Sequence, residues 1–275
     1  MSTLAIVAVE PNRIARGIGI SLLAYASFST ADALLKSSSG AFSVFQIAFT
    51  MAFFAMLPVL ATIVGRGGLQ SLVPRNRPLV ALRGILAAIC GCLAWNAFAL
   101  LPMAEVYALL FAAPMLVTGF SALLLRESVG WRRWSATLVG FVGVLIMIDP
   151  EFSSLGLGHV LAGLAALAGA LSFIILKKIG AAEKSGALLL SVMLWLMAVS
   201  LPPALFNWVW PSPAELGLMA VAGLLMGCGQ AGMVFATREA PAVVVAPFQY
   251  SQMIWAVVFG ILVFGDVPSA NLFVG

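Results

Sequence analysis

Four polar side chains stand together at Gln249, Tyr250, Ser251 and Gln252, inside the otherwise apolar stretch PFQYSQMIWAVVFGILVFGDVP. On a helix, Gln249, Gln252 and Ala256 follow i, i+3, i+7 spacing and share one face, with Tyr250 about 100° round from Gln249. Amides donate and accept hydrogen bonds without a fixed charge. Such a face can bind the polar groups of a zwitterion, and bonding between helices is the competing account. Trp95 and Asn96 fall in the apolar run CLAWNAFAL. Asn96 can bind an amino or carboxylate group while Trp95 stacks on an aromatic one; simple packing explains them equally well. Tyr107 and Phe111 share a helical face, as a packing pair does and as two walls of one pocket do.

The charged residues in apolar surroundings are fewer. Asp32 and Lys36, spaced i, i+4, predict a local salt bridge, with proton coupling as the alternative. Glu105 begins a helix, where a carboxylate complements the macrodipole. His159, the one histidine of the chain, begins another; it can titrate near neutral pH but reads first as an interfacial residue. Asp32, Glu105 and His159 are nonetheless the candidates for coupling to an ion gradient. Glu127 and Asp266 end matching helices and read as structural. Gly223 and Gly227, continued by Ala231, form one small-residue seam; Gly84, Ala88 and Cys92 form another.

No nucleophile–His–acid set, metal-ligand cluster or GxxxxGK[ST] loop occurs, which argues against catalysis and against ATP-driven transport by this chain. No cofactor or metal is expected. Cys90, Cys92 and Cys228 lie in apolar runs and are an odd set, which suits packing rather than a disulfide framework.

The elements that must hold these residues are set by composition. Hydrophobic residues make up 63% of the 275 and charged residues 9%, against about 25% charged in a soluble domain. The surrounding solvent is therefore lipid, and a spanning helix needs roughly 20 apolar residues. Apolar runs predict spans at 15–36, 41–65, 79–100, 102–125, 134–148, 157–178, 186–208, 215–236 and 241–264, with a tenth starting near 270. The N-terminal MSTLAIVAVEPNR lacks a basic region and is not read as a cleaved signal. If the spans alternate, thirteen of the fourteen Lys and Arg fall on one side and only Lys36 on the other. The positive-inside rule then makes the N-terminus cytoplasmic. The excess of basic residues is accounted for by this segregation and implies no nucleic acid.

The two halves align. Gly84, Pro102 and Glu127 lie 139 residues before Gly223, Pro241 and Asp266, and Gly17 and Lys36 lie 141 before Gly158 and Lys177. Duplication explains the shared prolines and acidic helix ends better than chance likeness of apolar helices. Five helices per half is odd, so the second half enters the membrane from the opposite side. Inverted repeats of this kind place a substrate site near the midplane and work by alternating access. The expected division is 13–150 for the first repeat and 155–275 for the second. The partner of the fifth helix should lie near 273–287, so the chain ending at Gly275 is expected to lack most of its tenth helix.

With LLPMAEVYALLFAAPMLVTGFSALLLRE closing the fourth helix of one half and APFQYSQMIWAVVFGILVFGDVP the ninth, the duplicated five-helix unit resembles the drug/metabolite transporter superfamily with two EamA-type domains. Within it the chain is similar to the YddG-type exporters of aromatic and other amino acids. The resemblance implies an all-α, ten-helix integral membrane protein of the bacterial inner membrane, with both termini cytoplasmic. It also implies a central cavity lined by helices 1, 3, 4, 6, 8 and 9, and a small-molecule substrate, amino acids first. On this reading the chain is a carrier working as a monomer, with a homodimer as the alternative, and Trp95, Asn96, Tyr107, Phe111, Gln249, Tyr250 and Gln252 bind substrate. An uptake carrier for a vitamin or nucleotide-like metabolite, or a drug exporter, is the runner-up; a membrane scaffold or lipid enzyme is the more distant alternative.

Overall fold

A computed structural model describes residues 11–67, 69–124, 155–179, 182–240 and 242–266, together with scattered positions between 131 and 146. The described elements are helices α1 (Pro11–Ser38), α2 (Val44–Gly67), α3 (Arg77–Leu100), α4 (Met103–Leu110), α5 (Ala113–Leu124), α6 (Leu157–Ile179), α7 (Ser185–Phe206), α8 (Pro213–Glu239), α9 (Ala242–Val245) and α10 (Ser251–Phe259). Eight segments among the described residues are long and apolar enough to cross a membrane. The described part of the fifth expected span, such as Leu138, Val139 and Val142, is helical and exposed. Glu127 and the expected tenth helix lie outside the described residues.

Local sequence explains the ends. Asn76 caps α3 by accepting from the Leu79 N–H at 3.2 Å, with a proline in the first turn. Ser212 and Glu215 form a capping box at the start of α8.

Two expected helices are broken. The span at 102–125 divides into α4 and α5 around Phe111 and Ala112, just before Pro114. Proline has no N–H and its ring crowds the carbonyl four residues back, so the ladder is interrupted there. The span at 241–264 passes from α9 through a 3₁₀ stretch, Ala246–Tyr250, that contains Pro247, into α10. It then widens into a π turn, Gly260–Phe264, and stops at Gly265, whose φ of 68° is the left-handed region that glycine tolerates. These are the fourth helices of the two halves, and both carry the break.

Packing follows the duplication. α8 packs against both α1 and α2, and α3 packs against both α6 and α7. Exchange of the halves turns one set of neighbours into the other. The small-residue seams create both contacts: a Cβ added to Gly223 would stand 2.5 Å from the Met51 carbonyl oxygen on α2, and one added to Gly84 would stand 2.5 Å from Trp195 Cδ1 on α7. Buried Gln46 ties α2 to the turn before α8, donating to the Val209 carbonyl at 2.6 Å and accepting from its N–H at 3.1 Å. Cys92 is buried, Cys90 half-buried and Cys228 exposed.

Candidate functional site

Asp32 sits on α1, six residues before its end at Ser38 and so about 9 Å down the axis. Its carboxylate collects polar groups of two other helices directly and, through Tyr107, of a third. Trp95 of α3 donates Nε1–H to Oδ1 at 2.9 Å, and Tyr107 of α4 donates its hydroxyl to Oδ2 at 2.5 Å. The Tyr107 proton being committed to Asp32, its oxygen accepts: from Ser29 Oγ at 3.3 Å and from Gln252 Nε2 of α10 at 3.4 Å. Tyr107 is 3% exposed and Trp95 7%. A carboxylate at this depth is costly in lipid and so faces protein or water, and its surroundings here are donors and aromatic rings.

A row of rings leads out from this cluster. Phe98 meets Tyr107 at 5.1 Å between centroids, Tyr107 meets Phe111 at 6.1 Å, and Phe111 meets Tyr250 at 5.0 Å. Tyr250 is 56% exposed, and Gln249 beside it is exposed too. The row thus runs from exposed Tyr250 to the buried carboxylate, with the breaks at Pro114 and Pro247 in the two helices that supply it.

Several expected residues are therefore placed together: Trp95, Tyr107 and Gln252 around Asp32, with Phe111 and Tyr250 along the row of rings. Asn96 is not among them. It donates Nδ2–H to the Cys92 carbonyl of its own helix at 2.7 Å, because it lies about 100° round α3 from Trp95. Gln249 does not join the Asp32 network either; sharing a face with Gln252 leaves it a turn away from Tyr107.

The expected salt bridge between Asp32 and Lys36 does not form. Lys36 instead donates to the Leu101 carbonyl at 2.8 Å, stands 3.6 Å from Asp266 Oδ2 and lies 4.8 Å from the centroid of the Phe264 ring. The reason is reach. Lys36 is one turn nearer the end of α1 than Asp32, at the level where the π turn brings Asp266 back, while the aromatic donors lie deeper. Glu105 occupies the first turn of α4, but its carboxylate does not cap that helix. It accepts from His159 Nε2 of α6 at 2.7 Å. The Gly156 N–H donates to His159 Nδ1 at 3.1 Å, which places the ring proton on Nε2. His159 is thus more than interfacial: with Glu105 and with Lys36–Asp266 it ties helices of the two halves together at the end opposite the basic loops. Ser29 was the missed member of the cluster; its spacing of three from Asp32 was the available signal.

At the basic end, Glu183 accepts from the Arg75 N–H at 2.9 Å and the Asn76 N–H at 2.5 Å, and Arg13 pairs with Glu239 at 3.3 Å. The backbone N–H of Arg75, foremost, holds the Glu183 carboxyl below its usual range. A cavity of about 320 Å³ lies between α3, α6, α7 and α8.

A bundle of long apolar helices, two of them broken beside a buried polar cluster, defines a membrane carrier. The pattern of the EamA-like transporter family matches residues 15–149. The riboflavin transporter of Vibrio cholerae serotype O1 (strain ATCC 39315 / El Tor Inaba N16961) is 32% identical over 237 residues, which are 85% of this chain and 78% of that protein. The S-adenosylmethionine uptake transporter of Rickettsia prowazekii (strain Madrid E) is 27% identical over 261 residues, 93% of this chain and 86% of that one. The pseudopaline exporter CntI of Pseudomonas aeruginosa (strain UCBPP-PA14) is 25% identical over 261 residues, 94% and 91%. The chain belongs to the EamA-like transporter family, within the drug/metabolite transporter superfamily. It is a multi-pass membrane transporter of small molecules and not an enzyme. Of these three relatives one is named for uptake and one for export, and none is named for ordinary amino acids, so the family membership carries the transport but not amino-acid export.

Proposed function

We propose that this protein is a secondary carrier for small metabolites that join an amino group to an apolar or aromatic body, amino acids including aromatic ones, and that it exports them from the cytoplasm. The observation that carries the reading is Asp32: a carboxylate held among helices by Trp95 and Tyr107, at the inner end of a row of aromatic rings. A negative group among aromatic faces suits a cationic ammonium, which gains both a salt bridge and ring contacts. The Gln252 amide, and Gln249 at the open end, suit the remaining polar groups of a zwitterion. One methylene in an apolar pocket discriminates only about 10–200-fold, so such a site accepts varied side chains.

The basic end lies in the cytoplasm on this reading, and the repeats 13–150 and 155–275 rock against each other. The Lys36–Asp266 and Glu105–His159 contacts hold the outer end closed; both must part for release. Asp32, Glu105 and His159 are the groups whose protonation would couple the cycle to a pH gradient.

A neutral aromatic metabolite is the second reading, favoured by the same row of rings and by the likeness to a riboflavin transporter. Competition against labelled L-phenylalanine in proteoliposomes, with and without a pH gradient, separates them. Threonine and S-adenosylmethionine should compete through their amino groups and riboflavin should not. Competition by riboflavin alone sinks the amino-group reading and leaves the second.

A further inference from the structure

Arg83 falls inside the expected span 79–100, and the structure places it within α3, six residues past Arg77 and so about 9 Å along the axis. A guanidinium at that depth needs partners. Nη1 has one, donating to the Leu188 carbonyl at 2.7 Å, and the Arg83 carbonyl accepts from Ser172 Oγ at 3.0 Å. Nε, shielded from solvent, meets no acceptor among the described residues. A charged donor left in this state is unusual in a native protein and marks a place where something else accepts.

What lies beside it is a cavity. Arg83 lines the space of about 320 Å³ together with Cys90, Ser172, Phe173, Met193 and Gln230. That volume is in the range of small-molecule sites. Its lining combines one cation, one amide, the Ser172 hydroxyl, the Cys90 thiol and apolar side chains. Gly91 also lines it, and a side chain there would meet Trp95 Cζ3 at 3.9 Å. Trp95, one turn further along α3, thus lies next to the Gly91 edge of the cavity, and its Nε1 holds Asp32.

We infer that this cavity is a carboxylate-binding station on the cytoplasmic half, with Arg83 as the residue that binds the carboxylate. The planar guanidinium fork matches a carboxylate with directed N–H donors. Gln230 offers a further donor, and Phe173 and Met193 receive an apolar tail. Its place as a substrate station rests on the transport reading above; its affinity for carboxylates does not. Arg83 and Trp95 are twelve residues apart on α3, about 18 Å along the axis. An α-amino acid is too short to touch Arg83 and Asp32 together. The carboxylate is therefore bound first at Arg83, and the amino group is bound at Asp32 once the substrate has passed Trp95.

Binding to the full chain in lipid nanodiscs tests this with three probes: 3-phenylpropionate, which has a carboxylate and no amine; phenethylamine, which has the reverse; and L-phenylalanine. Arg83→Met should weaken 3-phenylpropionate and L-phenylalanine at least tenfold and leave phenethylamine unchanged. Arg83→Lys, which keeps the charge and loses the fork, should fall between; it carries the test alone if Arg83→Met does not fold. Gln230→Leu should weaken the two carboxylates by a smaller factor. Arg83 variants that bind all three probes like the parent, or a parent that binds neither carboxylate, overturn the inference. Arg83-dependent binding of 3-phenylpropionate in a protein that does not transport L-phenylalanine supports the carboxylate site and sinks the amino-acid reading instead.

Discussion

Tyr107 donates its hydroxyl to Asp32 at 2.5 Å, joining residues 75 positions apart and two helices of the first half. Tyr107 has one proton to give and gives it to the carboxylate, so its oxygen is left to accept from Gln252, on the last described span. The amide of the second half therefore reaches Asp32 only through Tyr107. Movement of α10 away from α4 removes one donor to the Tyr107 oxygen without breaking the Tyr107–Asp32 bond. This gives the two halves a polar contact that can be made and broken during a transport cycle at small cost, since a neutral hydrogen bond contributes only about 0.5–1.5 kcal/mol.

Gln252→Leu tests that contact. Leucine is welcome in an apolar bundle, so the variant should fold. Initial transport rates of L-phenylalanine and L-threonine, normalised to folded protein, should fall alike, by a factor of about 3–10 from one lost hydrogen bond. Trp95→Ala should instead harm phenylalanine more than threonine, because stacking is lost with the ring. Parent-like rates for both substrates in Gln252→Leu would show that the amide only packs helices.

The seams make a stability prediction. At Gly223 an added methyl meets the Met51 backbone oxygen at 2.5 Å, and a backbone carbonyl within a helix cannot step aside cheaply. Gly223→Ala should cost about 1–3 kcal/mol, the usual penalty of overpacking. Gly217, on the same helix, has nothing within 4 Å of an added Cβ. Gly217→Ala should be neutral or stabilising by up to about 1 kcal/mol. Thermal unfolding of both variants in the same lipid reads the difference; equal melting temperatures would remove the seam from the account of packing.

Glu183 lies in the connection before α7, outside the membrane-spanning segments, and its carboxyl is held below the usual range, foremost by the Arg75 N–H. A folded-state value below the unfolded one, about 4.3, stabilises the fold above that value, and the contribution is lost as pH falls through the folded one. Glu183→Gln should therefore lower the melting temperature at pH 7, and the gap to the parent should close as the pH drops below about 4. A gap that does not change with pH would mean that the ionised form matters no more than the shape.

The helices were legible because apolar runs of spanning length have few other uses; the breaks were not read, because Pro114 and Pro247 lie inside apolar runs that continue past them. Trp95, Tyr107 and Gln252 were legible as polar groups in apolar runs. Asp32 was harder. An i, i+4 acid–base pair suggests a local bridge, and nothing in the sequence says that Lys36 will find Asp266 at the other end of the chain while Asp32 takes two aromatic donors. Arg83 was hidden for a different reason: it fell inside the expected span 79–100 but counted only among the basic residues of one side, and nothing in the sequence says that its Nε is shielded beside a cavity. Asn96 misled because a polar side chain in a helix can be satisfied by its own backbone, four residues back.

The most direct test of the account is the transport of amino-bearing substrates by Asp32→Asn. Asparagine keeps the size and can still accept from Trp95 or Tyr107, so the fold should survive, but the negative charge is gone. Hydrogen bonds to a charged group contribute about 1.5–3 kcal/mol, which is roughly 10–150-fold. Initial uptake of labelled L-phenylalanine into proteoliposomes, normalised to folded protein, should fall by a factor in that range, while Asn96→Leu and the parent remain alike. Asp32→Asn transporting L-phenylalanine at the parent rate, with and without a pH gradient, would contradict the assignment of Asp32 as the group that reads the substrate's ammonium.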